Sequence, residues 1–386
     1  MHAPGSTPAW MTDDHNAYAQ MVREFLNAEL VPHQERWRAQ GVVDRELWTK
    51  AGELGLLGAT IPEQYGGTGA PKSFDAILFY EQGLAGDSGW GPAIQSIVAH
   101  YLISNGTEEQ KQRWLPQLAS GERIAAVAMT EPGTGSDLQA VQTTAVADGD
   151  YYVLNGTKTF ITNGQTADLV CVVAKTDPSV PGSRGTSLIM VETEHASGFS
   201  RGRNLPKLGQ KSADTSELFF EDVRVPRSFL LGGQEGLGFA HLMSELPWER
   251  LIIGLACLGA TEYALNETVR YTKERKAFGK RVFDFQNTRF KLASLKTKLE
   301  VTRAFVIDCV GRADAGTLDA ATASMAKMWA SEVLGEVADE CLQLFGGYGY
   351  MLEYPIAHVF ADARVQRIYG GTNEIMRELV ARSLDG

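Results

Sequence analysis

An α+β chain, helical at both ends and stranded in the middle, is what this 386-residue sequence predicts. Two observations carry that reading. Apolar residues recur at helical spacing up to about residue 120, alternate at strand spacing from about residue 122, and return to helical spacing from about residue 233. No segment repeats itself and no low-complexity run interrupts the chain. The expected organisation is an N-terminal all-α domain over 1–120, a middle β-barrel or sandwich domain over 121–231, and a C-terminal four-helix bundle over 232–386.

Residues 1 to about 10 read as a frayed tail. Helical patterns then follow in MTDDHNAYAQMVREFLNAEL, DRELWTKAGELGLLG, KSFDAILFYEQGLAG and the stretch from Ile94 to Ser104, with IPEQYGGTGAP as a loop between helices. Thr107 starts another helix, with Gln110 three residues on completing a capping box and Gly121 as its stop. VQTTAVADGDYYVLNG alternates on both sides of Asp148-Gly149-Asp150 and reads as a hairpin. DLVCVVAKT, GTSLIMVE and SELFFEDVRV are further short strands. GGQEGLG at 232–238 has no preceding strand and no G-x-G-x-x-G spacing, so it reads as a linker and not as a dinucleotide loop. Residues 244–283 read as one long helix, capped by Ser244, with Pro247 in the first turn and Gly279 as the stop. Its segment from Leu251 to Ala260 is apolar on every face and should be buried. Two more long amphipathic helices and two shorter ones complete the chain.

Composition narrows the function. With 44% hydrophobic and 22% charged residues the chain is an ordinary globular protein. A net charge of −11 argues against a nucleic acid or an anionic membrane as the main partner. No apolar run is long enough for a membrane span, and the N-terminus has no secretory pattern. Cys171, Cys257, Cys309 and Cys341 are widely spaced, which fits a reducing, cytoplasmic setting. The seven histidines lack metal-ligand spacing, so no metal is expected.

Several stretches carry chemistry. Glu245, Glu249 and Arg250 stand at the mouth of the apolar run in the long helix, where a carboxylate is either a base or a partner of the helix dipole. Arg275, in ERKAFG, lies about 39 Å from Glu249 along a continuous helix. If both are functional, they serve different sites and the protein is an oligomer. AMTEPGTGSDL at 128–138 forms a glycine loop that exposes N–H groups and hydroxyls. KTFITNG at 158–164 offers a ring and hydroxyls to a flat heterocycle. QLFGGYGY and RIYGGTNEIMRELVAR bring glycine pairs to helix ends, where free N–H groups bind anions. Ser324 and Lys327 form S-x-x-K, but the companion hydrolase motifs are absent, and a solvated helix face is the expectation.

EQYGG, AMTEPGTGSD, KTFITNG, ERKAFGK, QLFGGYGY and IYGGTNEI, in this order, resemble the acyl-CoA dehydrogenases over nearly the whole chain. The resemblance implies an FAD enzyme that makes a trans-2 double bond in an acyl-CoA thioester. It places Met129, Thr130, Gly135, Ser136, Phe160 and Thr162 at the flavin, and Thr372 and Glu374 at its phosphates or ribose. Arg275, Gln286, Gln343, Gly346 and Gly347 would reach a neighbouring subunit's FAD in a homodimer or homotetramer. In short- and medium-chain members the catalytic glutamate precedes G-T in the last motif; here that position is Gly370. Long-chain and isovaleryl-type members place it at the start of the long helix, as Glu249 in LPWERL, and TRAF, SMAKMWASE and EYPIAHVFADARVQ are similar to the long-chain type. Glu249 is then the base, and the Gly370 N–H an oxyanion donor. Ser136, Ser183, Arg184, Arg250 and Gly371 are the expected substrate contacts. An electron-transferring flavoprotein is the expected acceptor, with an acyl-CoA oxidase or a flavin monooxygenase on the same fold as alternatives.

Overall fold

The computed structural model describes residues 8–385. Most of the tail expected over 1 to about 10 lies outside them. Trp10, at its end, is not frayed: its indole donates to the Ile307 carbonyl at 3.2 Å, a contact across 297 residues that no local pattern encodes.

The N-terminal helices are α1 (Asp13–Phe25), α2 (Gln34–Gln40), α3 (Arg45–Glu53), α4 (Lys72–Leu84), α5 (Pro92–Asn105) and α6 (Glu108–Ala119). The start of α6 follows the expected capping box, with the Thr107 hydroxyl accepting from the Gln110 N–H and the Gln110 side chain returning to the Thr107 N–H. α4 and α5 are buried on almost every face, as expected of helices sandwiched between other helices.

The strands are β1 (Ala125–Ala128), β2 (Thr144–Asp148), β3 (Tyr151–Thr162), β4 (Leu169–Lys175), β5 (Thr186–Glu192), β6 (Phe199–Asn204) and β7 (Thr215–Pro226), with a one-turn α7 (Gly182–Gly185) before β5. They are ordered β1-β4-β2-β3-β7-β6, with β5 also on β4. β2 and β3 form the expected hairpin around Gly149, whose φ is +59°. β6 was not anticipated, because FSRGRN is a partly exposed edge strand without apolar alternation.

After the strands come α8 (Gly238–Glu274), the short hairpin β8 (Lys276–Ala277) and β9 (Lys280–Arg281), α9 (Gln286–Asp314), α10 (Ala320–Phe345), α11 (Pro355–Ala363) and α12 (Asn373–Arg382). The long helix starts before Ser244. That residue does not cap it; its hydroxyl donates back to the His241 carbonyl at 2.9 Å. Pro247 lies inside the helix, not in its first turn. The glycines of GGQEGLG hid this start: a methyl at Gly238 would meet Ser187 Cα at 2.7 Å, so glycine is needed for α8 to begin against β5. α4 and α8 also cross backbone to backbone, since a methyl on Gly259 would lie 2.2 Å from the Tyr80 carbonyl oxygen. One apolar core accordingly runs through both helical regions, and a second fills the β domain.

Candidate active site

Roughly three turns into α8, Glu249 is buried, 8% exposed, against α5. The Tyr101 hydroxyl donates to its Oε1 at 2.5 Å. Burial pushes the Glu249 carboxyl up to about 7; the Tyr101 bond and Arg250 act against that, and the charge of Glu245 adds to it. One turn earlier, Glu245 accepts from Ser104 Oγ at 2.7 Å and has Lys72 Nζ at 3.9 Å. Two carboxylates four residues apart on α8 thus meet two hydroxyls three apart on α5. Sequence reasoning missed Tyr101 because an aromatic in an apolar helix reads as core; its hydroxyl was the only signal.

Arg250 turns toward α10. It is 6% exposed, its Nη1 lies 3.4 Å from Ser324 Oγ, its Nε has no partner among the described residues, and burial lowers its pKa. The Ser324 and Lys327 face of α10 is not solvated, contrary to expectation. Both residues are fully buried, because that face packs against α8 and the approach to α12. Ser324 Oγ donates to the Ala320 carbonyl, and Lys327 Nζ donates to the Gly371 carbonyl at 2.8 Å and to Asn373 Oδ1 at 2.9 Å. Neither is poised as a nucleophile or its base. Burial pulls the Lys327 ammonium down to about 8.

The loop that Lys327 holds contains Gly370 and Gly371, at φ +64° and +88°. A methyl on Gly370 would lie 2.3 Å from Ile253 Cδ1. Ile253 is one turn beyond Glu249, so the Gly370 backbone rests on the same face of α8. Among the described residues the Gly370 N–H has no acceptor. Thr372 caps α12, its hydroxyl accepting from the Ile375 N–H, and Glu374 is exposed in the first turn.

The second cluster is built by an ion pair that the sequence did not reveal. Glu131 is 6% exposed and accepts from Lys158 Nζ at 2.8 Å, from the Thr143 hydroxyl at 2.5 Å and from the N–H groups of Gln142 and Thr143. Lys158 also donates to the Met129 carbonyl at 3.0 Å, pinning the 129–136 loop to β3. The Thr130 carbonyl accepts from the Thr159 N–H at 2.9 Å. Just beyond, three steps on β3 (158 to 161) match two on β7 (218 to 216), a bulge. It leaves Phe160 at φ +58° and 68% exposed. Thr162 is half-buried at the strand end, and Gly135 and Ser136 are exposed.

Arg275 ends α8, with its guanidinium 5.5 Å from the centre of the Tyr348 ring. Gln343, Gly346 and Gly347 close α10 beside it, and Gln286 opens α9; all five residues are exposed. This cluster is separated from Glu249 by the remaining length of α8, about 39 Å. Ser183 and exposed Arg184 lie on α7, whose Arg184 carbonyl backs onto Gly236, near the start of α8.

Three family profiles match consecutive segments: acyl-CoA dehydrogenase N-terminal domain at 12–122, middle domain at 126–223 and C-terminal domain at 236–384. The chain is 50% identical over 375 residues to the long-chain specific acyl-CoA dehydrogenase of Sus scrofa mitochondria, covering 97% of this chain and 87% of that one. It superposes on the acyl-CoA dehydrogenase of Geobacillus kaustophilus with a TM-score of 0.96 at 46% identity, covering 98% and 100% of the two chains. A glutaryl-CoA dehydrogenase of Mycobacterium smegmatis, solved with FADH2, aligns with a TM-score of 0.90 at 31% identity over 97% and 95%.

Proposed function

The chain belongs to the acyl-CoA dehydrogenase family, FAD-dependent oxidoreductases that convert an acyl-CoA to an enoyl-CoA, and from that premise we propose that Glu249 is the base and a long-chain acyl-CoA the substrate. The single observation that carries the base is its place: a buried carboxylate held near neutral pKa, one turn from the Ile253 that the Gly370 loop rests on, with no acceptor for the Gly370 N–H among the described residues. An α-proton next to a thioester is weakly acidic. A base poised near 7 accepts it without being titrated away. Tyr101 occupies Oε1 and leaves Oε2 for that proton. The Gly370 N–H supports the charge that grows on the thioester oxygen, while Lys327 fixes the loop that carries it. Arg250, on α8 beside Glu249, backs this wall against α10 through Ser324, and Gly371 and Ser136 are the further contacts at the thioester. Ser183 and Arg184 take the CoA end.

The cradle fits FAD. Methyl groups built on Gly133 and Gly135 would meet nothing within 4 Å, so the 129–136 loop leaves room that the chain's own packing does not use, and Gly346 and Gly347 are open in the same way at the distant cluster. Met129, Thr130, Gly135, Ser136, Phe160 and Thr162 would hold the ring, with Thr372 and Glu374 at the phosphate or ribose end. FAD, when bound, supplies the hydride acceptor at the β-carbon. The distant cluster of Arg275, Gln286, Gln343, Gly346 and Gly347 serves the FAD of a neighbouring subunit in a homodimer or homotetramer, and an electron-transferring flavoprotein reoxidises the cofactor. No described helix is long and apolar enough to cross a membrane. The four cysteines are free and buried, which supports a cytoplasmic setting.

The test is an anaerobic titration of the yellow holoenzyme with straight and branched acyl-CoAs of increasing length. Bleaching strongest with long straight chains, and lost in Glu249→Gln, is expected. Bleaching by short or branched thioesters alone would overturn the substrate, and bleaching by the variant would overturn the base.

A further inference from the structure

The Tyr101 hydroxyl has a single described partner, Glu249. Its residue is fully buried in a segment of α5 that is buried from Gln95 to Leu102. A phenylalanine would pack there as well, so the oxygen answers to the carboxylate. The helix that carries it is fixed. Gln95 Nε2 donates to the carbonyls of Leu118 and Arg123, its Oε1 accepts from the Ala125 N–H, and Ser96 Oγ donates to Asp75.

We propose that Tyr101 is the positioning residue of the base: from rigid α5 its hydroxyl holds Glu249 Oε1, so that Oε2 meets the α-proton in one orientation. This rests on Glu249 being the base. Among the described groups facing Glu249, Tyr101 is the one that hydrogen-bonds it. On α8 the others are Glu245 and Arg250, and on β4 Cys171, whose thiol burial pushes up to about 12 so that it stays neutral. From α4 Lys72 acts through Glu245, and from α10 Ser324 acts through Arg250. Burial and the Glu249 charge keep the phenol itself protonated throughout the working range, so it donates and never competes for the proton.

The bond favours the ionised carboxylate, and its loss should raise the pH at which the base ionises. The experiment compares Tyr101→Phe, Glu245→Gln and Glu249→Gln holoenzymes. It follows flavin reduction by palmitoyl-CoA between about pH 5.5 and 9, together with the infrared carboxyl band absent from Glu249→Gln. Tyr101→Phe should keep FAD and KM. Its flavin reduction should slow by about 10- to 100-fold, with the acid limb and the infrared titration both moving up by about one pH unit. Glu245→Gln should move both down, because a neighbouring negative charge is removed. A Tyr101→Phe enzyme with wild-type rate and an unmoved limb, beside an inactive Glu249→Gln, overturns the role of Tyr101 alone. An active Glu249→Gln overturns the base assignment, and this proposal with it.

Discussion

Glu131 and Glu249 are buried to nearly the same extent, 6% and 8% exposed, yet they are provisioned differently. Around Glu131 stand an ammonium, a hydroxyl and two backbone N–H groups. Burial alone would push its carboxyl up, and those donors together hold it below the usual range. Around Glu249 stands one phenol, with a second carboxylate one turn away, and burial wins. The fully satisfied carboxylate is architecture: with Lys158 it fastens the 129–136 loop to β3. The under-satisfied one is left with an appetite for a proton, which a base requires.

The largest expected effect comes from removing the under-satisfied carboxylate. Glu249→Gln should lower flavin reduction by about 10² to 10⁴, some 3–5 kcal/mol of barrier, with FAD retained. It should also be more stable than wild type at neutral pH. The folded pKa of about 7 lies above the ordinary 4.5, so the folded state binds more protons across that window. Wild-type stability therefore falls as pH rises from about 4.5 through 7, and the variant lacks that fall. Melting temperatures of both holoenzymes should diverge over that range and stay parallel above it. Parallel curves throughout would mean that Glu249 is no more strained than Glu131.

Stripping the satisfied carboxylate of its cation is the converse. Lys158→Met leaves Glu131 buried with its charge uncompensated, and should cost about 3–5 kcal/mol and release FAD. Glu131→Gln added to it should recover part of the stability without the flavin, since the Thr143 and Gln142 donors keep an acceptor oxygen and no buried charge remains. Denaturant melts and flavin content after gel filtration measure both. A single variant that stays yellow and stable would mean that the ion pair does not fasten the loop.

How far these two sites were legible in the sequence follows from what periodicity encodes. It marks which face of an element is apolar, so the bundle helices, the capping box at Thr107 and the hairpin at Gly149 could be read directly. It does not say which distant residue meets that face. Tyr101 and Glu249 are 148 positions apart, and Lys158 and Glu131 are 27 apart. Lys327 looked solvated for the same reason: a lysine in a mixed helix is normally exposed, and only the approach of the Gly371 loop to α10 shows that it is enclosed. Backbone exceptions were equally silent. Nothing local in KTFITNG announces the bulge that turns Phe160 outward, and glycines demanded by the contact of α8 with β5 read as a linker.

Glycines extend the same contrast to smaller effects. Gly370 is at φ +64° with Ile253 where its side chain would go, so Gly370→Ala should cost about 1–3 kcal/mol and displace the wall beside Glu249. Installing a glutamate there would meet the same obstruction before it could act as a base. Gly135 has ordinary backbone and open space, so Gly135→Ala should change stability by only about 0.5 kcal/mol or less. If that space belongs to the cofactor, the added methyl should nevertheless weaken FAD retention. Flavin release on dilution, set beside thermal melts of the apoprotein, separates the two. Unchanged retention in Gly135→Ala would mean that the open side of the 129–136 loop is not where the flavin lies.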